Sequence, residues 1–157
     1  VMNRIGFVRF TVLLSFVCQA MATYAQDWVS YGGDNGSSKY SPLSQINSVN
    51  ANQLAIAWEW ESIDNPTVAS NIETGNTRAV PSAYKATPLV VDGKMYVSTS
   101  FGRIVALDAF TGSLLWAFDT KAWESGRPMN LGYNTRGVAY WESEHKQRLF
   151  FATYDSY

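Results

Sequence analysis

The stretch Ala106-Leu107-Asp108-Ala109-Phe110-Thr111-Gly112-Ser113-Leu114-Leu115-Trp116 decides how the rest of the chain is read. It joins two apolar runs, RIVALDA (103–109) and SLLWAFDT (113–120), through the turn Phe110-Thr111-Gly112. Gly112 supplies the positive φ that a tight turn requires. Asp108 and Thr111 are short polar side chains of the kind that bond backbone groups across such a turn. Trp116 is a large flat side chain whose indole N–H needs a partner when buried. The pattern predicts two antiparallel strands clipped at one end, with an aromatic plug on the second.

Two more strands precede this pair. PLVV (88–91) and KMYVSTS (94–100) flank Asp92-Gly93, a hairpin turn signal, and Phe101-Gly102 makes the next turn. The result is a meander of four short antiparallel strands. Farther upstream, LAIAWEW (54–60) reads as a strand, while Gly32–Ser38 reads as a loop by composition. Residues 61–84 are polar and interrupted by Pro66, Gly75 and Pro81, and they read as a long loop. No segment sustains a 3.6-residue period, so almost no helix is expected.

The sheet recurs. Trp58 in LAIAWEW returns 58 residues later as Trp116, and MYVSTSFGR (95–103) is echoed 54 residues on by LFFATYDSY (149–157), a period of about 55. A four-stranded sheet exposes two faces, and radial stacking of such units into a β-propeller covers both. The expected class is all-β. Propellers have roughly four to eight blades, whereas residues 26–157 supply about two. The chain is therefore expected to be the N-terminal part of a longer propeller domain. An intact two-blade protein is the rival reading, and it would leave aromatic faces open to water.

The first 25 residues have a different character. Arg4 and Arg9 form a basic start, FTVLLSFV (10–17) a short apolar core, and Thr23-Tyr24-Ala25 a cleavage-like end. This is the layout of a secretory signal peptide (1–25), with cleavage expected after about Ala25 and export. The apolar run is about half of the ~20 residues that a membrane span needs, so no stable span is expected. A retained tethering helix and lipidation at Cys18 are the alternatives; Cys18 lacks the small residue just before it that lipidation favours. Cys18 is the only cysteine, so the exported part has no disulfide.

Composition removes several functions. With 12 basic and 13 acidic residues there is no electrostatic support for binding nucleic acid. A single His (His145) and a single Cys poorly supply a zinc site or a catalytic triad. His145 lies in a charged loop, Glu142–Lys146, and reads as solvated, with no metal site expected. Asp92 and Asp155 read as turn residues, and Ser98, Thr99 and Ser100 have no base in reach for nucleophilic catalysis.

Three stretches together resemble one family. Residues 106–116 resemble the A-x-D-x-x-T-G-x-x-x-W tryptophan-docking motif of propellers related to pyrroloquinoline quinone (PQQ) enzymes. That motif is structural and is shared by scaffolds without catalysis. WVSYGGDNGSSKYSPLSQIN (28–47) resembles the opening of PQQ-dependent dehydrogenases, and NTRGVAYW (134–141) resembles their N-R-G-x-A-Y-W cofactor segment. The resemblance covers about 28–157 and looks closest to glucose-dehydrogenase-like periplasmic quinoproteins.

The resemblance implies an eight-bladed propeller holding PQQ and usually Ca²⁺, oxidising a sugar or an alcohol, and passing two electrons on to a quinone or cytochrome. PQQ carries three carboxylates, and Arg binds a carboxylate bidentately through its planar fork. The resemblance gives this role to Arg136, with Gly137 letting the backbone lie close to the cofactor. Lys85 stands where several members carry a Glu near the cofactor, two residues before Thr87-Pro88-Leu89, and could pair with a PQQ oxygen or remain solvated. The alcohol-oxidising branch carries adjacent cysteines where this chain has Asn130 and Leu131, which disfavours that branch. The catalytic base and Ca²⁺ ligands are expected downstream of this chain. The alternative is a non-catalytic propeller scaffold of the outer-membrane-assembly type; a lectin-like propeller is a more remote one.

Overall fold

The computed structural model describes residues 26–81, 83–128 and 132–155. The signal-peptide reading (1–25), Cys18, Asn130, Leu131 and the last residues of the echoed stretch at 156–157 lie outside them. Four strands, β1 (Leu89–Val91), β2 (Lys94–Ser98), β3 (Arg103–Asp108) and β4 (Leu114–Asp119), form an antiparallel sheet in the order β1-β2-β3-β4. A second hairpin, β5 (Ala139–Ser143) and β6 (Lys146–Phe150), follows. All four strands of the meander fall where the apolar runs and Gly turns placed them. The reading of Glu142–Lys146 as a loop contracts to a two-residue turn, Glu144-His145, because Glu142, Ser143 and Lys146 pair in the hairpin.

The period-2 alternation of β2 and β3 sends their side chains to two separate clusters. Tyr96 and Ala106, with Val91, pack under Val138, Tyr140 and Leu149 of the second hairpin. Val97, Val105 and Leu107 pack on the opposite face under Trp58, Trp60 and Ile63. Each face of the sheet is thus covered by the sequence unit before or after it, and Arg103–Leu107 is buried throughout. This is the stacking that a propeller requires. The outer strand β4 stays open: Trp116 is 41% and Phe118 59% exposed.

The turn of the tryptophan-docking motif folds as its chemistry suggested, but the expected plug, Trp116, does not sit on it. Asp108 Oδ1 accepts from the backbone N–H groups of Phe110 (3.0 Å) and Thr111 (2.8 Å) and from the Thr111 hydroxyl (3.0 Å). These bonds hold the Asp108 carboxyl below its ordinary range. Gly112 has φ +73° and donates to the Asp108 carbonyl. The plug on this turn is Trp58: its Nε1–H donates to the Ala109 carbonyl at 3.3 Å, and its ring lies on Gly112. Trp116 instead tilts against Tyr96, with ring centroids 6.1 Å apart.

Two expectations change. LAIAWEW is not a strand in this structure, because no neighbouring backbone among the described residues offers it a ladder; only its alternation survives, with Trp58 and Trp60 half-buried and Glu59 exposed. The stretch 61–84 is not all loop but contains helix α1 (Asn65–Glu73). Pro66 starts this helix rather than breaking it, since the first turn has no use for the N–H that proline lacks. Gly75, at φ +74°, ends it.

Asp64, the residue before α1, does not cap the helix with its side chain. Its carboxylate turns into the sheet and accepts from Arg103 Nη1 (2.8 Å), Thr99 Oγ1 (2.9 Å) and the Phe101 N–H (3.0 Å). The other side of the Arg103 guanidinium meets Asp119 at 3.0 Å and lies over the Trp123 ring at 5.2 Å. Burial disfavours the Arg103 charge, but the bonds to Asp119 and Asp64 outweigh it and raise the pKa. Burial likewise opposes the Asp119 charge, and the Lys121 N–H and Arg103 outweigh it, so the Asp119 pKa falls below 3.8. A carboxylate with a depressed folded pKa contributes stability above its unfolded value, and that stability is lost as pH falls through the folded value. Hydrogen-exchange protection of the β3–β4 pair is therefore expected to fall as pH drops below about 4. The loss should be modest, because the Asp119 side chain is 36% exposed. Asp119→Asn should flatten that dependence, and an unchanged profile would remove Asp119 from it.

Candidate functional site

The site is built where the two repeat units meet. Thr87, just before β1, forms a parallel bridge to Gly137, just before β5. The Thr87 N–H donates to the Arg136 carbonyl at 3.4 Å. Gly137 has φ +121°, and a Cβ there would sit 2.9 Å from the Thr87 carbonyl oxygen. The lack of a side chain at Gly137 is thus needed for contact with the neighbouring backbone, a local reason that the cofactor argument did not contain.

This bridge brings the two predicted site residues onto adjacent backbones. Lys85 lies two residues before Thr87, and Arg136 one before Gly137. Both side chains are exposed, and neither forms an ion pair among the described residues. Arg136 opens onto a hollow of about 520 Å³ lined also by Gly137, Val138, Ala139, Phe150 and Phe151. Arg136 thus stands beside apolar walls with no ion pair among the described residues, surroundings that suit an anion with a flat body. A second cleft, of about 590 Å³, separates residues 58–84 from the sheet, but its charged lining is Glu59 and Asp64, the wrong sign for a polyanion.

The segment before Arg136 is held by residues that the sequence did not single out. The Thr135 hydroxyl donates to the Thr99 carbonyl at 3.0 Å and lies 3.0 Å from Ser98 Oγ. Tyr133 packs edge-on against Phe101, with ring centroids 4.8 Å apart. Ser98 and Thr99 are 0% and 2% exposed, so they serve as buried anchors. Their run of hydroxyls on one strand end was the available signal, but without the fold it named no partner. Among the described residues no group of three His, Cys, Asp or Glu gathers as a metal site. No helix among them is long and apolar enough to cross a membrane.

Sheet and docked tryptophan define the chain as blades of a PQQ-type β-propeller. The family model described as "Glucose/ethanol/alcohol dehydrogenase, beta-propeller domain" (PQQ) matches residues 28–157, and the chain belongs to that family. It is 34% identical over 135 residues to the alcohol dehydrogenase (quinone), dehydrogenase subunit, of Gluconobacter oxydans (strain 621H), covering 82% of this chain and 14% of the relative. It is 30% identical over 155 residues to the 1-butanol dehydrogenase (cytochrome c) of Thauera butanivorans, covering 97% and 20%. The crystal structure of the quinohemoprotein alcohol dehydrogenase from Comamonas testosteroni superposes with a TM-score of 0.54 at 32% identity, covering 74% of this chain and 15% of that one. The chain therefore spans about a seventh to a fifth of the length of these relatives. All three are named as alcohol dehydrogenases, whereas Asn130-Leu131 and the overall resemblance had pointed toward the glucose-dehydrogenase-like branch.

Proposed function

We propose that the whole protein is a periplasmic quinoprotein dehydrogenase that oxidises the CH–OH group of an alcohol, with Arg136 and Lys85 holding carboxylates of PQQ. The observation that carries this reading is the family match over residues 28–157, within which Arg136, beside the Thr87–Gly137 bridge, opens onto an apolar hollow. The residues fit the cofactor: a buried tricarboxylate needs fixed positive charge, Arg136 can take one carboxylate in a fork, and Lys85 adds a point charge. Bound PQQ supplies an ortho-quinone that accepts two electrons from the substrate carbon. The task of this chain is to bind and orient that group. The catalytic base and the Ca²⁺ ligands are assigned to the rest of the protein.

The signal-peptide layout of residues 1–25 supports export. The names of the relatives favour an alcohol over a sugar, and a quinone or a cytochrome as electron acceptor. The test is dye reduction by the whole protein reconstituted with PQQ and Ca²⁺. Turnover with 1-butanol and little with glucose is expected. Turnover with glucose alone would move the substrate to sugars. No turnover with any alcohol or aldose would overturn the enzyme reading in favour of a scaffold. Removing Ca²⁺ with a chelator should abolish the activity, and full activity after chelation would exclude the metal.

A further inference from the structure

We propose that Thr135 is a positioning residue for Arg136, tied by its buried hydroxyl to the end of β2 that Asp64 braces. The inference rests on the reading of Arg136 as a cofactor clamp. Arg136 itself is exposed, so what fixes its backbone decides where its guanidinium points. Thr135 immediately precedes it, is 6% exposed, and has one hydroxyl proton, which goes to the Thr99 carbonyl. The 3.0 Å contact with Ser98 must then run the other way, Ser98 donating to Thr135 Oγ1.

The next link has the same logic. Thr99 Oγ1 donates to Asp64 at 2.9 Å and accepts from the Arg103 N–H at 3.2 Å. Asp64 also fixes the Phe101 N–H, and Phe101 carries the Tyr133 ring. Each of these hydroxyls has its proton assigned: the Thr135 bond ends on the Thr99 backbone carbonyl, and the Thr99 hydroxyl separately ties the same residue to Asp64. Residues 133–135 are thereby clamped to the β2–β3 turn, and Gly137 is clamped to Thr87 on the other side. The Arg136 backbone is held between two fixed points, and its side chain makes no hydrogen bond or ion pair among the described residues.

The experiment is an equilibrium titration of PQQ, in the presence of Ca²⁺, into the whole apo-protein. It compares the parent with Arg136→Ala, Thr135→Val, Thr135→Ser and the double variant Thr135→Val/Arg136→Ala. Arg136→Ala is expected to weaken binding about 10- to 100-fold. Thr135→Val should weaken it about tenfold, Thr135→Ser should restore it to within about twofold, and the double variant should bind no more weakly than Arg136→Ala alone. Ser98→Ala, which removes only the donor to Thr135, gives a smaller loss in the same direction and serves where Thr135→Val does not fold. Additive losses in the double variant would show that Thr135 does not act through Arg136 and would overturn the inference alone. Full affinity in Thr135→Val with a weakened Arg136→Ala would do the same. Unchanged affinity in Arg136→Ala would overturn the clamp reading and this inference with it.

Discussion

Asp64→Ala is expected to be the most damaging single change in this region, costing about 3–5 kcal/mol of local stability. The reason is what it leaves behind. Asp64 is 4% exposed and accepts three bonds, from Arg103, Thr99 and Phe101. Without it, Arg103, itself only 9% exposed, keeps Asp119 alone as a counter-charge. Removing one partner of a buried pair strands the other charge, whereas removing both is far less costly. Asp64→Leu combined with Arg103→Met should therefore recover much of the loss. Native-state hydrogen exchange of the β2–β3 amides in the whole protein measures this. A loss of about 3 kcal/mol appears as exchange roughly 150-fold faster. Protection within a factor of two of the parent would show that the pair is not a structural staple.

Gly112→Ala is expected to cost about 3 kcal/mol, from two sources that can be separated. An L-residue at φ +73° bears about 1–2 kcal/mol of backbone strain. In addition, the new Cβ would lie 2.5 Å from Trp58 Cε3, so the indole must move off the turn, at about 1–3 kcal/mol. Gly75 is the control. It has nearly the same φ, +74°, and nothing within 4 Å of its would-be Cβ. Gly75→Ala should therefore show the backbone cost alone. The difference between the two variants, read by hydrogen exchange at the Asp108–Gly112 turn and by Trp58 fluorescence, is the worth of the docked tryptophan. Equal losses would mean that Trp58 contributes nothing to holding the blades together.

The sheet was legible because its signals are local. Asp92-Gly93, Phe101-Gly102 and the Asp108–Gly112 turn each announce a chain reversal within a few residues, and the alternation between them separates two faces. Helix α1 was hidden because a residue of its first turn, Pro66, is also the commonest loop mark, and the choice depends on whether a helix follows. Residues 54–60 carry a strand's alternation, but strand status depends on a neighbouring backbone that a short window cannot supply. Arg136 and Lys85 were found one by one through the resemblance. That their backbones meet follows from Thr87 and Gly137, 50 residues apart in sequence. Asp64 and Arg103 left no mark at all, because an isolated Asp two residues before a proline and an isolated Arg after a glycine look like surface residues until the fold buries them together.

The most direct test is the affinity of the whole apo-protein for PQQ, measured by titration for the parent and for Arg136→Lys. Lysine keeps the charge of Arg136 and loses the planar fork, so it asks whether the site recognises a carboxylate rather than merely a negative charge. Saturable binding near one PQQ per protein is expected for the parent. A loss of about 1.5–3 kcal/mol, roughly 10- to 150-fold in Kd, is expected for Arg136→Lys. Absence of saturable binding by the parent, or equal affinities for the two proteins, would contradict the assignment of Arg136 to a wall of the cofactor site.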